Sequence, residues 1–147
     1  VGPEQDVALK VESSQPIVAE RPMYFDYRSM WDGGHITLGA PAPQKDWFFA
    51  EGTTRAGFEE WLCLLNPGDA FAQVKVGYAF QNAGTQEQDL VLMPGQRFSI
   101  FVNEVVGAER DVSAWVKSDQ PIVAERSMYF SYHGAWDGGH NSVGTVP

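Results

Sequence analysis

The stretch QPIVAERPMYF occupies residues 15–25, and QPIVAERSMYF returns at residues 120–130 with a single change. The match runs outward without a gap: Val1-Gly2 aligns with Val106-Gly107 and Gly39 with Gly144 at a constant offset of 105. Identity holds at 24 of the 39 aligned positions, including Asp6/Asp111, Val11/Val116, Glu20/Glu125, Tyr24/Tyr129 and all of WDGGH at 31–35 and 136–140. Such identity within one chain marks a tandem duplication. A period of this length exceeds the 20–50 residues of a solenoid unit and suits a β-sandwich domain of about 100 residues.

Composition narrows the classes. At 147 residues the chain has room for one ordinary domain with an appendage, and 44% hydrophobic with 13% aromatic residues excludes disorder. Ten Lys and Arg face 19 Asp and Glu, a net charge of −9, so phosphate backbones and anionic membranes are repelled and nucleic acid is not an expected partner. No apolar run approaches the roughly 20 residues that span a bilayer, so membrane insertion is not expected. No signal peptide is visible, and the chain begins at Val1, inside the repeat, as expected of a processed or excised piece. Lone Cys63, in WLCLL, has no internal disulfide partner and reads as a small buried apolar residue.

Short β-rich runs between turn signals fill the chain, and no segment sustains a helical period. QVKVGYAF alternates, placing Val74, Val76, Tyr78 and Phe80 on one face. RFSIFVN points Phe98, Ile100 and Val102 inward, after a Pro94-Gly95 pair suited to a type II turn and a partner strand QDLVLM. FEEWLCLL is apolar enough for a central strand and closes at the NPGD turn. Each repeat copy reads as two strands joined at SSQP or SDQP, burying Val7, Leu9 and Val11 or Val112, Ala114 and Val116. DGG after Trp31 and Trp136 reads as a further turn, and GAPAPQ as a linker.

The expected fold is therefore all-β: an immunoglobulin-like antiparallel β-sandwich over 45–147, preceded by an N-terminal half-repeat over 1–44 that is homologous to 106–147. WFFAEGTTRAGFEEWLCLLNPGD (47–69), SDQPIVAERSMYF and WDGGH together resemble a tandem β-sandwich repeat of large secreted bacterial surface proteins. The resemblance implies an immunoglobulin-like fold, an extracellular, cell-surface location and no catalytic activity.

No catalytic constellation stands out. Asp32 with His35, and Asp137 with His140, offer two mixed ligands on a glycine-rich turn, short of the three or four a zinc site needs, so no metal and no cofactor is expected. No Ser or Cys sits in a recognisable nucleophile setting. Glu20-Arg21 and Glu125-Arg126 point to opposite faces of their strands and call for partners elsewhere, with Glu51 and Arg55 as candidates. Tyr24, Phe25, Tyr27 and Trp31 suit core or interface packing, with a sugar-stacking platform as the rival reading.

Two back halves compete for one front half, so one copy is left over. Its Val7, Leu9, Val11, Ile17, Val18, Met23, Tyr24, Phe25 and Trp31 form the expected assembly interface. The leading expectation is a structural subunit of an extracellular bacterial filament or cell-surface assembly. The partner is then self, joined head-to-tail when the N-terminal half-repeat complements the next subunit's strands. The alternative is a surface-protein binding module with a glycan partner, or a stalk or spacer domain.

Overall fold

The computed structural model describes residues 5–82 and 84–147. Its elements are β1 (Glu20–Tyr27), β2 (Trp31–Leu38), β3 (Gln44–Phe49), β4 (Phe58–Leu65), β5 (Ala72–Phe80), β6 (Thr85–Leu92), β7 (Arg97–Phe101), the short helix α1 (Val102–Val106), β8 (Val112–Tyr132) and β9 (Trp136–Val143). The chain is an all-β antiparallel sandwich, as its alternating strands require.

The organising element is β8, which runs 21 residues without a break. Its first part lies between β5 and β3, in register Val76↔Val116 and Trp47↔Val116. Its second part lies between β4 and β9, in register Leu62↔Arg126 and Arg126↔Ser142. The layers β6-β5-β8-β3 and β7-β4-β8-β9 thus share one strand, and the sheet curls over itself to face its own continuation. The SDQP stretch, expected as a turn, is instead the point where β8 changes partners. Pro121 falls there, at an exposed position between the two ladders, where its missing N–H costs no central hydrogen bond.

Between the layers the core holds Trp47, Leu62, Leu64, Val76, Tyr78 and Val116, each 2% exposed or less. Trp47 satisfies its indole N–H by donating to the Ile122 carbonyl at 3.0 Å. FEEWLCLL is the central strand its composition predicted, paired with β7 on one side and β8 on the other. The Pro94-Gly95 turn is present, with Gly95 at φ 71° and Gln96 N–H donating to the Met93 carbonyl at 3.0 Å. Phe98 departs from expectation: it is 42% exposed, while Ile100 and Val102 are buried.

The two repeat copies agree only in part. Hairpin β1–β2 pairs Glu20↔Leu38 through Tyr27↔Trp31, and β8–β9 pairs Glu125↔Val143 through Tyr132↔Trp136, the same register at the same offset. Residues 5–19, homologous to the core-forming start of β8, form no strand, and Val7, Leu9, Val11, Ile17 and Val18 are exposed. The strands they would need, β3 and β5, are already paired with β8.

Candidate functional site

Hairpin β1–β2 lies across the outer face of β4, β8 and β9. Alternation divides its residues: Arg21, Met23, Phe25, Tyr27, Trp31 and His35 turn inward, whereas Tyr24 points out and is 87% exposed. Tyr27 stacks flat on Tyr129, centroids 4.2 Å apart, and Phe25 meets the same ring edge-on at 4.9 Å. The Tyr27 hydroxyl donates to Glu59 Oε2 at 2.6 Å and accepts from Trp61 Nε1 at 3.2 Å. Burial, then the Glu59 hydrogen bond, push the Tyr27 phenol up to about 12. Arg28 pairs with Glu59 at 3.1 Å, and Arg21 with Glu125 at 3.0 Å.

WDGGH is not a turn. Both copies are strands, and the turns fall earlier, at Arg28-Ser29 and His133-Gly134. The glycines serve close approach: a Cβ on Gly33 would lie 2.7 Å from the Phe25 ring and 3.3 Å from Gly138 Cα, and one on Gly139 would lie 2.8 Å from Phe25. Asp32 and His35, three residues apart on a strand, face opposite sides and cannot act as a pair. Among the described residues no three of His, Cys, Asp and Glu converge on a point that could hold a metal. The expected charge partners are redistributed as well. Arg21 of the first copy meets Glu125 of the second, and Arg55 meets Asp111.

The assembly residues therefore divide. Met23 and Phe25 meet Tyr129 of the chain's own sandwich and Trp31 stacks on Tyr27 within the hairpin, while Val7, Leu9, Val11, Ile17, Val18 and Tyr24 remain exposed. Tyr24 and Trp31 do not share a face, so the four aromatics form no common platform for a sugar.

A second constellation, unforeseen from the sequence, lies between the layers. Because β8 curls, its two ends approach one another and frame an open cleft of about 720 Å³. Phe58, Phe80, Phe130 and Tyr132 supply aromatic walls, and Arg126 and His140 supply polar groups. Arg126 is 8% exposed, and its Nε is buried without a hydrogen-bond partner. Glu60, 1% exposed, backs the cleft behind Gly52, whose missing side chain leaves the place that the carboxylate fills. Glu60 accepts from the Thr53 backbone N–H, but its Oε2 has no partner. Burial lifts this carboxyl to about 7 against the opposing pull of Arg126. His140 is lowered, first by burial and then by Arg126.

No family model and no curated protein matches the chain. Solved structures do. The crystal structure of Thermotoga maritima 1070 is similar with a TM-score of 0.66 and 18% identity, over 71% of this chain and 96% of that one. The Anabaena sensory rhodopsin transducer is similar with a TM-score of 0.53 and 21% identity, over 60% of this chain and 99% of that one. At such identities the likeness is one of fold. Nearly all of each neighbour is matched, and the rest of this chain lies outside the match.

Proposed function

We propose that the chain is a non-catalytic binding module of an extracellular surface protein, holding a saccharide in the cleft between its two layers. The observation that carries this reading is a cleft walled by Phe58, Phe80, Phe130 and Tyr132 to which Arg126 and His140 add polar groups. The lining offers donors at Arg55 and Arg126 and acceptors at Glu51 and Asp111, so a ligand that both donates and accepts fits it. A hydroxyl donates and accepts at once. A carboxylate or phosphate would meet Glu51 and Asp111, and a cation would meet Arg55 and Arg126. The aromatic walls suit the apolar faces of sugar rings. A binding role rather than catalysis is supported by Ser113, whose hydroxyl is committed to the Ala50 carbonyl at 2.7 Å.

The test is a glycan array probed with the full chain, followed by calorimetry on any sugar captured. Arg126→Met and Phe58→Ala are expected to weaken that binding about tenfold or more, the cost of one lost hydrogen bond to a charged group or one lost ring contact. An array on which no saccharide is retained counts against the reading.

Head-to-tail self-assembly is a second reading, with a separate observation in its favour. Residues 5–19 carry the sequence of a core strand and leave its apolar residues exposed. Such a segment suits augmentation of a neighbouring subunit's sheet. Electron microscopy of the concentrated chain distinguishes the two, since fibres belong to assembly alone.

A further inference from the structure

The hairpin β1–β2 is joined to the sandwich by Gly39–Pro43 and docks on it without extending its sheets, since β1 and β2 pair only with each other among the strands. In the seam sits His35, both of whose ring nitrogens are cut off from solvent with no hydrogen-bond partner. The Arg21 Nε shares that condition. The charged and titratable groups acting on His35 are Arg21 from β1 and Glu125 from β8, with His140 of β9 close enough for the two histidines to influence each other. Glu125 is already engaged, accepting at one oxygen from Arg21 at 3.0 Å and from Asn141 Nδ2 at 3.1 Å. The seam has no slack to admit a compensating group, because Phe25 fills the space over Gly33 and Gly139.

We propose that the hairpin β1–β2 is an acid-released cover over the β4–β8–β9 face, with His35 as its trigger. A proton on His35 creates a buried cation beside Arg21, with Glu125 already bonded to Arg21 and Asn141, and the arrangement is relieved when the hairpin lifts off and His35 reaches water. The direction follows from linkage. Burial, then Arg21, lower the His35 pKa in the docked state, so the undocked state binds more protons. Docking is therefore strongest above the ordinary histidine value near 6.5 and weakens as pH falls through it. Glu60 responds in the opposite sense and lies inside the sandwich, so a readout local to the hairpin separates the two. Release uncovers Tyr129 and Trp61 and frees the Arg21, Met23, Phe25 and Tyr27 face for a different acceptor.

The test is hydrogen exchange of the full chain at pH 7.5 and 5.5, corrected for the intrinsic pH dependence of exchange. Protection of residues 20–38 is expected to fall severalfold at pH 5.5 while β4 and β5 keep theirs, and His35→Phe is expected to abolish the difference. Equal corrected protection at both pH values, or an unchanged pH response in His35→Phe, overturns the proposal. An NMR titration needs no variant: the His35 imidazole should titrate below the ordinary histidine value near 6.5, and a midpoint at or above that value overturns the proposal too.

Discussion

Residues 5–19 and 110–124 share 9 of 15 residues, yet the first forms no strand and the second opens the axis of the sandwich. Ile17 is 56% exposed and Ile122 is fully buried; Val11 is 61% exposed and Val116 is fully buried. The difference lies in the partners available, since a strand becomes a core strand only where neighbours supply its ladder and its opposing face. A few divergent residues fix which copy takes that place. Trp115 lies against the bare backbone of Gly77, where any Cβ would strike the indole, and its counterpart Lys10 is exposed and paired with Glu12 at 2.7 Å. The hairpins 20–38 and 125–143 behave differently, because a hairpin carries its own partner and forms alike in both settings.

The largest effect that breaks the symmetry is a matched truncation. Ile122→Ala is expected to cost about 2–5 kcal/mol of global stability in denaturant titration, as buried isoleucines do, and Ile17→Ala to stay within about 0.5 kcal/mol. Comparable losses at both sites would mean that residues 5–19 are buried in solution, as self-assembly requires.

Next is the pair Arg21 and Arg126, one residue of the repeat in two environments. Arg21 bonds Glu125 in the seam, and Arg126 faces Glu60 in the interior. The Glu60 carboxyl, raised from 4.5 to about 7 in the folded state, holds its proton more tightly there than in the unfolded chain. Its contribution is fully present below about 4.5 and is lost as pH rises through 7, a span worth on the order of 3 kcal/mol. The Glu60 share of stability is therefore expected to decline between pH 5 and 8, read in thermal unfolding as the difference between the chain and Glu60→Gln, because lowered His35 and His140 act in the opposite sense. Arg126→Met should push the Glu60 titration higher, because Arg126 opposes the shift, whereas Arg21→Met should leave it in place.

How far the sequence could lead is visible in particular residues. The alternation of QVKVGYAF and the Pro94-Gly95 turn are local and were legible. The DGG stretches misled because paired glycines mark close approach as well as turns, and the Phe25 ring that needs the space lies outside the motif. SDQP misled because a proline can also sit where a strand changes ladders. The cleft was hidden because Phe58, Phe80, Arg126 and His140 converge only once β8 has curled. One signal was available: Glu60 shares parity with buried Leu62 and Leu64, so a carboxylate had to point inward.

A third comparison is Tyr27 against Tyr132. Tyr27 holds Glu59 and Trp61, while Tyr132 is 48% exposed. Tyr27→Phe leaves the Glu59 carboxylate one donor short and is expected to weaken hairpin docking by about 1–2 kcal/mol, read as exchange protection over residues 20–38. Tyr132→Phe is expected to change β8–β9 by less than about 0.5 kcal/mol.

The smallest effect is at the turns. In each hairpin two successive residues are left-handed: Arg28 at φ 54° and Ser29 at 55°, His133 at 54° and Gly134 at 64°. The backbone is the same, closed by Met30 N–H donating to Tyr27 at 3.1 Å and Ala135 N–H donating to Tyr132 at 3.2 Å. Only the second copy places glycine where its lack of a Cβ relieves the crowding. Left-handed backbone costs an L-residue about 1–2 kcal/mol, and glycine returns about 0.5–1 kcal/mol of that through its freer unfolded chain. Ser29→Gly should thus stabilise the first hairpin by about 0.5–1 kcal/mol, seen as a two- to fivefold gain in exchange protection over residues 20–38. Gly134→Ser should lower global stability by a similar amount. If Ser29→Gly instead loosened the hairpin, the Ser29 side chain would have to hold the turn in a way its glycine counterpart cannot, and the two hairpins would no longer count as equivalent.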